Sequence, residues 1–153
     1  MAPRVFASLA DFRAAAGEEL GASEWHEVTQ SQVNTFADAT GDHQWIHVDP
    51  ERAEAGPFGR TIAHGYLTLS LLPMLGKECY DVQGLAMGVN YGANKIRFPH
   101  PVPVGSRVRA TATLKEVADI AIGTQATIVF VVTIDGVDKP ACIAEVIYVM
   151  AAA

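Results

Sequence analysis

The hydrophobic pattern changes period in the middle of the chain, and this change constrains the fold more than any other feature. Residues 63–75 read AHGYLTLSLLPML, an apolar run broken only by His64, Thr68 and Ser70. A helix that is hydrophobic all round is buried on most sides. Pro73 marks a kink or a last turn, and Gly76 is a natural stop. From Leu85 onward the period becomes two. Val108, Ala110, Ala112 and Leu114 alternate with Arg107, Arg109, Thr111, Thr113 and Lys115, the pattern of a half-buried strand. Ile122, Ala126, Ile128, Phe130, Val132 and Ile134 share one face of the next strand. Asp135-Gly136 signals a hairpin, with a return strand over 141–150. A further strand over 86–98 completes an expected meander. An antiparallel sheet with one apolar face needs a covering layer. The 63–75 helix is the element available. The expected class is α+β, an antiparallel sheet wrapped around one long central apolar helix.

The chain before this helix reads as short helices and loops. Ser8, with Asp11 three residues on, starts a helix that carries Leu9, Phe12 and Ala16 on one face and stops at Gly17. A short strand is expected over 24–28. Thr29-Gln30-Ser31-Gln32 fits a capping box, with Thr29 as cap and Gln32 reaching back. Val33, Phe36, Ala37 and Thr40 then share a helical face, and Gly41 ends it. Asp49-Pro50 starts another short helix, which Gly56-Pro57 breaks.

The 153 residues suit one domain, 1–153, with no linker or repeat. Hydrophobic residues make up 50% of the chain and charged ones only 18%, against about 25% charged in typical globular chains. The surplus apolar surface must be hidden in a core or a subunit interface. A net charge of −6 without any basic block speaks against nucleic-acid binding. Cys79 and Cys142 are far apart and form no metal or redox motif, so both read as buried small hydrophobes. No apolar run reaches the ~18 residues of a membrane span, and the N-terminal stretch lacks a leader-like apolar core. The expectation is a cytoplasmic protein without membrane contact.

The densest polar cluster is 40–50, TGDHQWIHVDP, in a loop between two expected helices. Reactive groups concentrate on loops of this kind. Asp42 and His47 lie five positions apart, so a compact turn could converge them on one water molecule. A carboxylate and an imidazole there form a general acid–base pair. The same residues also fit a structural reading, with Asp42 capping the turn and His47 a satisfied, semi-buried histidine. A metal site from Asp42, His43, His47 and Asp49 has permissible ligand types but matches no established zinc spacing, so no metal is expected. Gly65 opens the apolar helix. Its backbone N–H could hold a carbonyl oxygen that becomes negative during reaction. It could equally serve close helix–sheet packing.

Three motifs occur in order: Gly41-Asp42 followed by His47 and Asp49, then His64-Gly65, then Lys95-Ile96-Arg97-Phe98 with Pro101-Val102 and Gly105. Together they resemble the MaoC-like (R)-specific enoyl-CoA hydratase family over about residues 25–150. The resemblance implies a hot-dog fold and reversible syn hydration of a trans-2-enoyl-CoA to an (R)-3-hydroxyacyl-CoA. It implies Asp42 and His47 as the catalytic pair, Gly65 N–H as donor to the thioester oxygen, and no cofactor. Many members carry Asp-x-Asn-Pro where this chain has Asp42-His43-Gln44-Trp45. Gln44 can still offer an amide, whereas Trp45 cannot fix the turn as proline does. Ile46, Tyr66 and Tyr91 are candidates for the acyl pocket. His26, His43 and His100 read as surface groups. Lys95, Arg97, Arg107 and Arg109 are either a patch for CoA phosphates or a solvated strand face.

Two other functions fit the same fold: a thioesterase, which would release the thiol, and a non-catalytic acyl-CoA-binding module. A binding module would be expected to lack Asp42, His47 or Gly65, and all three are present. Strand edges and the high apolar content also predict a homodimer.

Overall fold

The computed structural model describes residues 2–153. Strand β1 (Arg4–Phe6) leads into helix α1 (Leu9–Ala14), which Ser8 caps by accepting the Asp11 N–H at 3.1 Å. The helix closes before Gly17. Gly17 instead turns with φ at 92° and donates its N–H to the Leu114 carbonyl. Strands β2 (Glu19–Ala22) and β3 (His26–Glu27) follow, then α2 (Gln30–Thr40). Thr29 caps α2 through the Gln32 N–H at 3.1 Å, and Gly41 ends it in the left-handed region with φ at 82°. Helices α3 (Trp45–Val48) and α4 (Pro50–Glu54) are short, and Asp49 caps the second by accepting the Arg52 N–H.

The apolar stretch forms two helices rather than one long one, α5 (Gly65–Ser70) and α6 (Leu72–Cys79). Pro73 is the reason: it has no N–H and its ring crowds the preceding turn, so the helix restarts at Leu72. Gly76 is not a stop. It lies inside α6 against Phe130, whose ring would be 3.2 Å from a Cβ at that position. Close approach to the sheet, not termination, is what this glycine provides.

The chain then forms β4 (Tyr80–Val82), β5 (Leu85–Arg97), β6 (Arg107–Ile120), β7 (Gly123–Ile134) and β8 (Cys142–Ala152). The main sheet runs β2-β6-β7-β8-β5, with β3 also on β6, while β1 and β4 form a small parallel pair. The expected four-strand meander is therefore corrected. Strands β6, β7 and β8 form one, but β5 pairs with β8 at the far edge and not with β6. Residues 98–106 carry Pro99, Pro101 and Pro103, which cannot donate to a ladder, so this segment leaves the sheet and crosses between its edges.

Alternation along the strands places Val108, Ala110, Ala112 and Leu114 fully inside, facing Ala126, Ile128, Phe130 and Val132. Ile122 falls in the β6–β7 turn and is exposed, outside the face assigned to it. Helix α6 packs on β6 and α5 on β8, with Leu72, Leu75 and Cys79 buried beneath. This is the hot-dog arrangement, with its central helix divided at Leu71. Cys79 and Cys142 are buried and unpaired, and burial pushes both thiols up to about 11. Among the described residues, no helix is long and apolar enough to cross a membrane.

Candidate active site

The Gly41 turn carries the chain out of α2 and puts Asp42 at the start of the polar loop. The Asp42 carboxylate accepts the Gln44 N–H at 3.3 Å, and its side chain is 53% exposed. One turn later, α3 buries His47 to 6% exposure. The His47 Nδ1–H donates to the Ile62 carbonyl at 2.7 Å. A carbonyl only accepts, so this bond fixes the tautomer and leaves Nε2 with a free lone pair. Burial is the main force holding the His47 imidazole below its usual range. The Ile62 bond opposes this, His64 adds to it, and the Asp42 charge opposes it.

His64, at the entry to α5, completes the cluster. One carboxylate oxygen of Asp42 and one ring nitrogen each of His47 and His64 lie within 4.8 Å of one another. The spacing thus converges Asp42 with His47 as expected. The chemistry available is proton exchange with a molecule bound between them, since an imidazole with an open Nε2 and a carboxylate both accept protons. The ligand set weighed from sequence does not assemble: His43 turns away to Asp38 at 2.8 Å, and Asp49 caps α4. In that cluster His47 Nδ1 and His64 Nε2 already donate to carbonyls, which leaves one ring nitrogen of each histidine open.

A cavity of about 280 Å³ opens beside His47, with Gly65, Thr68, Phe58, Phe98 and His100 in its walls. Gly65 is the first residue of α5, so its N–H has no acceptor within the helix. Leu67 and Thr68 donate to the His64 carbonyl. A Cβ at Gly65 would lie 3.1 Å from the Phe98 ring, so glycine keeps this N–H beside the cavity wall.

The other sequence candidates fall around this cavity rather than in it. Gln44 is exposed. Its backbone does the work, donating to Asp42 and accepting the His47 N–H at 3.0 Å. Ile46 is half-buried and accepts the Ile62 N–H through its carbonyl. Tyr66 is 72% exposed and meets Phe98 edge-on at 6.5 Å. Tyr91 is exposed on β5, away from the cavity walls. Trp45 packs against Gly56, where a Cβ would come within 3.0 Å of its ring, and Arg52 lies 4.4 Å above it. The indole thus packs on α4 and the turn that follows it. The basic residues do not form one patch. Lys95 and Arg97 lie on β5, and Arg107 and Arg109 lie on β6 with β7 and β8 between.

Sequence reasoning gave no role to Gln30, although Gln30 anchors the His47 backbone. Its Nε2 donates to the His47 carbonyl at 2.7 Å, and its Oε1 accepts the Thr61 hydroxyl at 2.6 Å. His100, read as solvated, is half-buried in the cavity wall and donates from Nδ1 to the Pro101 carbonyl. His26 also finds a partner, the Glu78 carboxylate at 2.9 Å. The partners of Gln30 and His26 are distant in sequence, so no local pattern could have flagged those contacts.

A wrapped sheet, a divided central helix and a polar loop set against the helix entry define a hot-dog enzyme of the dehydratase type. Residues 11–136 match the family model described as the MaoC like domain. The chain belongs to the MaoC-like dehydratase family, a group of hydro-lyases. It is similar to 3-hydroxyacyl-thioester dehydratase Z of Mycobacterium tuberculosis, at 62% identity over 143 residues covering 93% of this chain and 95% of that one. It is also similar to nodulation protein N of Rhizobium leguminosarum, at 52% identity over 111 residues covering 71% and 69% of the two chains. Among solved structures it resembles a MaoC-like dehydratase from Rhodospirillum rubrum, with TM-score 0.77, 20% identity, and 97% and 99% of the two chains covered. An R-hydratase from Pseudomonas aeruginosa superposes with TM-score 0.73, 19% identity, and 90% and 83% covered.

Proposed function

We propose that this protein catalyses the reversible hydration of a trans-2-enoyl thioester to an (R)-3-hydroxyacyl thioester, with CoA as the carrier. The observation that carries this reading is a grouping of three residues: His47 and Gly65 line one cavity, and the Asp42 carboxylate lies within 4.8 Å of a His47 ring nitrogen. The identity to a 3-hydroxyacyl-thioester dehydratase supports the same substrate class. The thioester oxygen accepts from the Gly65 N–H, which stabilises negative charge as it leaves the double bond. One such donor is worth about 3 kcal/mol. A water molecule between Asp42 and His47 adds its oxygen to the β-carbon. His47 accepts the proton first, because its Nδ1–H is committed to Ile62 and its Nε2 lone pair is open. The pair returns a proton to the α-carbon from the same face and ends as it began. Acid–base work of this kind contributes roughly 10²–10⁴-fold. Ile46 and Tyr66 would act at the rim of the acyl site, and Gln44 through its hold on Asp42. No cofactor takes part, and the reaction would run in the cytoplasm.

The test is incubation with crotonyl-CoA. Loss of the enoyl absorbance without free thiol is the expected result. Thiol release would make the protein a thioesterase, and the absence of both changes would leave a binding module or a preference for another chain length.

The protein is also proposed to work as a homodimer joined along β5. This strand ends the sheet and is exposed along nearly its whole length, with Met87, Val89 and Tyr91 at 47%, 48% and 70% exposure. An unpaired apolar edge of this length invites a partner strand. Light scattering at micromolar concentration should give twice the chain mass, and a monomer mass would refute the dimer.

A further inference from the structure

One side chain outside the proposed pair touches both of its members. The His64 Nε2–H donates to the Asp42 backbone carbonyl at 3.0 Å and lies 3.9 Å from the Asp42 carboxylate. The His64 ring stacks on the His47 ring with centroids 3.8 Å apart and planes 22° from parallel. Phe36 closes the other side at 4.9 Å. His64 is 3% exposed, and its Nδ1 is buried without a hydrogen-bond partner among the described residues. A buried ring nitrogen left unpaired costs stability. An apolar residue would fill the same space without that cost, so core packing alone does not account for a histidine here.

We infer that His64 is a positioning residue: its Nε2–H holds the Asp42 main chain and its ring fixes the face of His47, so that carboxylate and imidazole meet in one geometry. The two contacts are separable. Asp42 sits on an exposed loop after a left-handed glycine, so without the His64 donor it is tied only through the bond from the Gln44 N–H to its carboxylate. His47 is already tied at Nδ1 and at its carbonyl, so the stack removes the remaining freedom, rotation of the ring about those ties. The titratable groups facing His47 are Asp42 from the loop and His64 from the α5 entry, with His100 in the wall of the same cavity.

Two variants divide the contacts. His64→Phe keeps a flat ring on His47 and loses the donor to Asp42. His64→Gln keeps a donor at the place of Nε2 and loses the stack. The kinetic reading rests on the hydratase assignment, while nitrogen NMR of the His47 ring does not. Each variant should lower kcat about tenfold or more with KM within about threefold, since small misplacements of reacting groups cost up to ~10². In His64→Gln the His47 ring signals should also move, with its titration midpoint shifting toward the ordinary imidazole value. In His64→Phe the ring signals should stay nearer the native ones, while the midpoint rises as well, because this variant also loses the His64 charge. A protein that shows no turnover but whose His47 signals move in His64→Gln fails as a hydratase and keeps His64 as the positioning residue. Native His47 signals and midpoint in folded His64→Gln, with kcat within about twofold in both variants, overturn the inference. If only one variant folds, its own contact is decided by the same readings.

Discussion

The segment from Asp42 to Gly65 and the β6–β7–β8 meander are held by different forces. The segment is fixed by side chains bonded to backbone: His47 to Ile62, Gln30 to His47 and His64 to Asp42. Half of its buried members are polar, His47, Thr61 and His64, beside Ala53, Ile62 and Ala63. The meander buries Leu114, Ile128, Phe130 and Val132 completely, and its backbone polar atoms pair in ladders. Each such apolar side chain contributes about 1.5–3 kcal/mol by burial. The contrast divides labour. The meander supplies stability, while the segment places a few polar groups at some cost to it. Changes in one region should therefore leave the other property almost untouched.

The largest effect expected is on the stability side. Phe130→Ala empties a fully buried site beneath Gly76 and should destabilise by about 3–5 kcal/mol. Denaturant melting measures this, and turnover per folded molecule should stay near wild type. A large loss of turnover in the folded fraction would break the division. Gly65→Ala should do the reverse. The added Cβ presses on the Phe98 ring and displaces the N–H that would meet the thioester oxygen. Turnover should fall about 10–100-fold, below the full value of one oxyanion donor, with a small change in melting temperature.

A smaller effect follows from His47, whose fold holds it below its usual pKa, mainly by burial. The unfolded chain then binds the proton more readily than the folded one. Stability is present above about pH 6.5 and is lost as pH falls from there toward the folded value. The acid limb of kcat/KM should likewise lie below about pH 6.5, since neutral His47 is the acceptor. Melting temperature against pH, compared between wild type and His47→Gln, isolates this contribution. An acid limb above pH 6.5 would contradict the burial effect.

Local chemistry made much of the molecule legible. The Thr29 cap, the Gly41 stop, the Asp49-Pro50 start and the alternation in β6, β7 and β8 each depend on residues close in sequence. What depends on distant partners was not legible. The position of β5 is set by a crossover, 98–106, whose prolines mark a departure from the sheet but not its destination. β1, β2 and β4 are too short to show a period, and β2 bends at Gly21, where φ is 154°. In the site, Asp42 and His47 were visible because a short loop holds both. Gln30 and His64 act across 17 and 22 residues, beyond any local pattern. The overall likeness to a family ordered the motifs, but it did not reveal which neighbours hold them.

The central claim is that Asp42 and His47 act as one unit on water. The direct measurement is turnover of crotonyl-CoA, with thermal melting, for Asp42→Asn, His47→Gln and the double variant. Each single change should reduce turnover by at least ~10², and the double should be little worse than the worse single, because groups acting as a unit are non-additive. Melting should show all three folded. Near-wild-type turnover in either folded single variant, or losses that simply multiply in the double, would contradict the account.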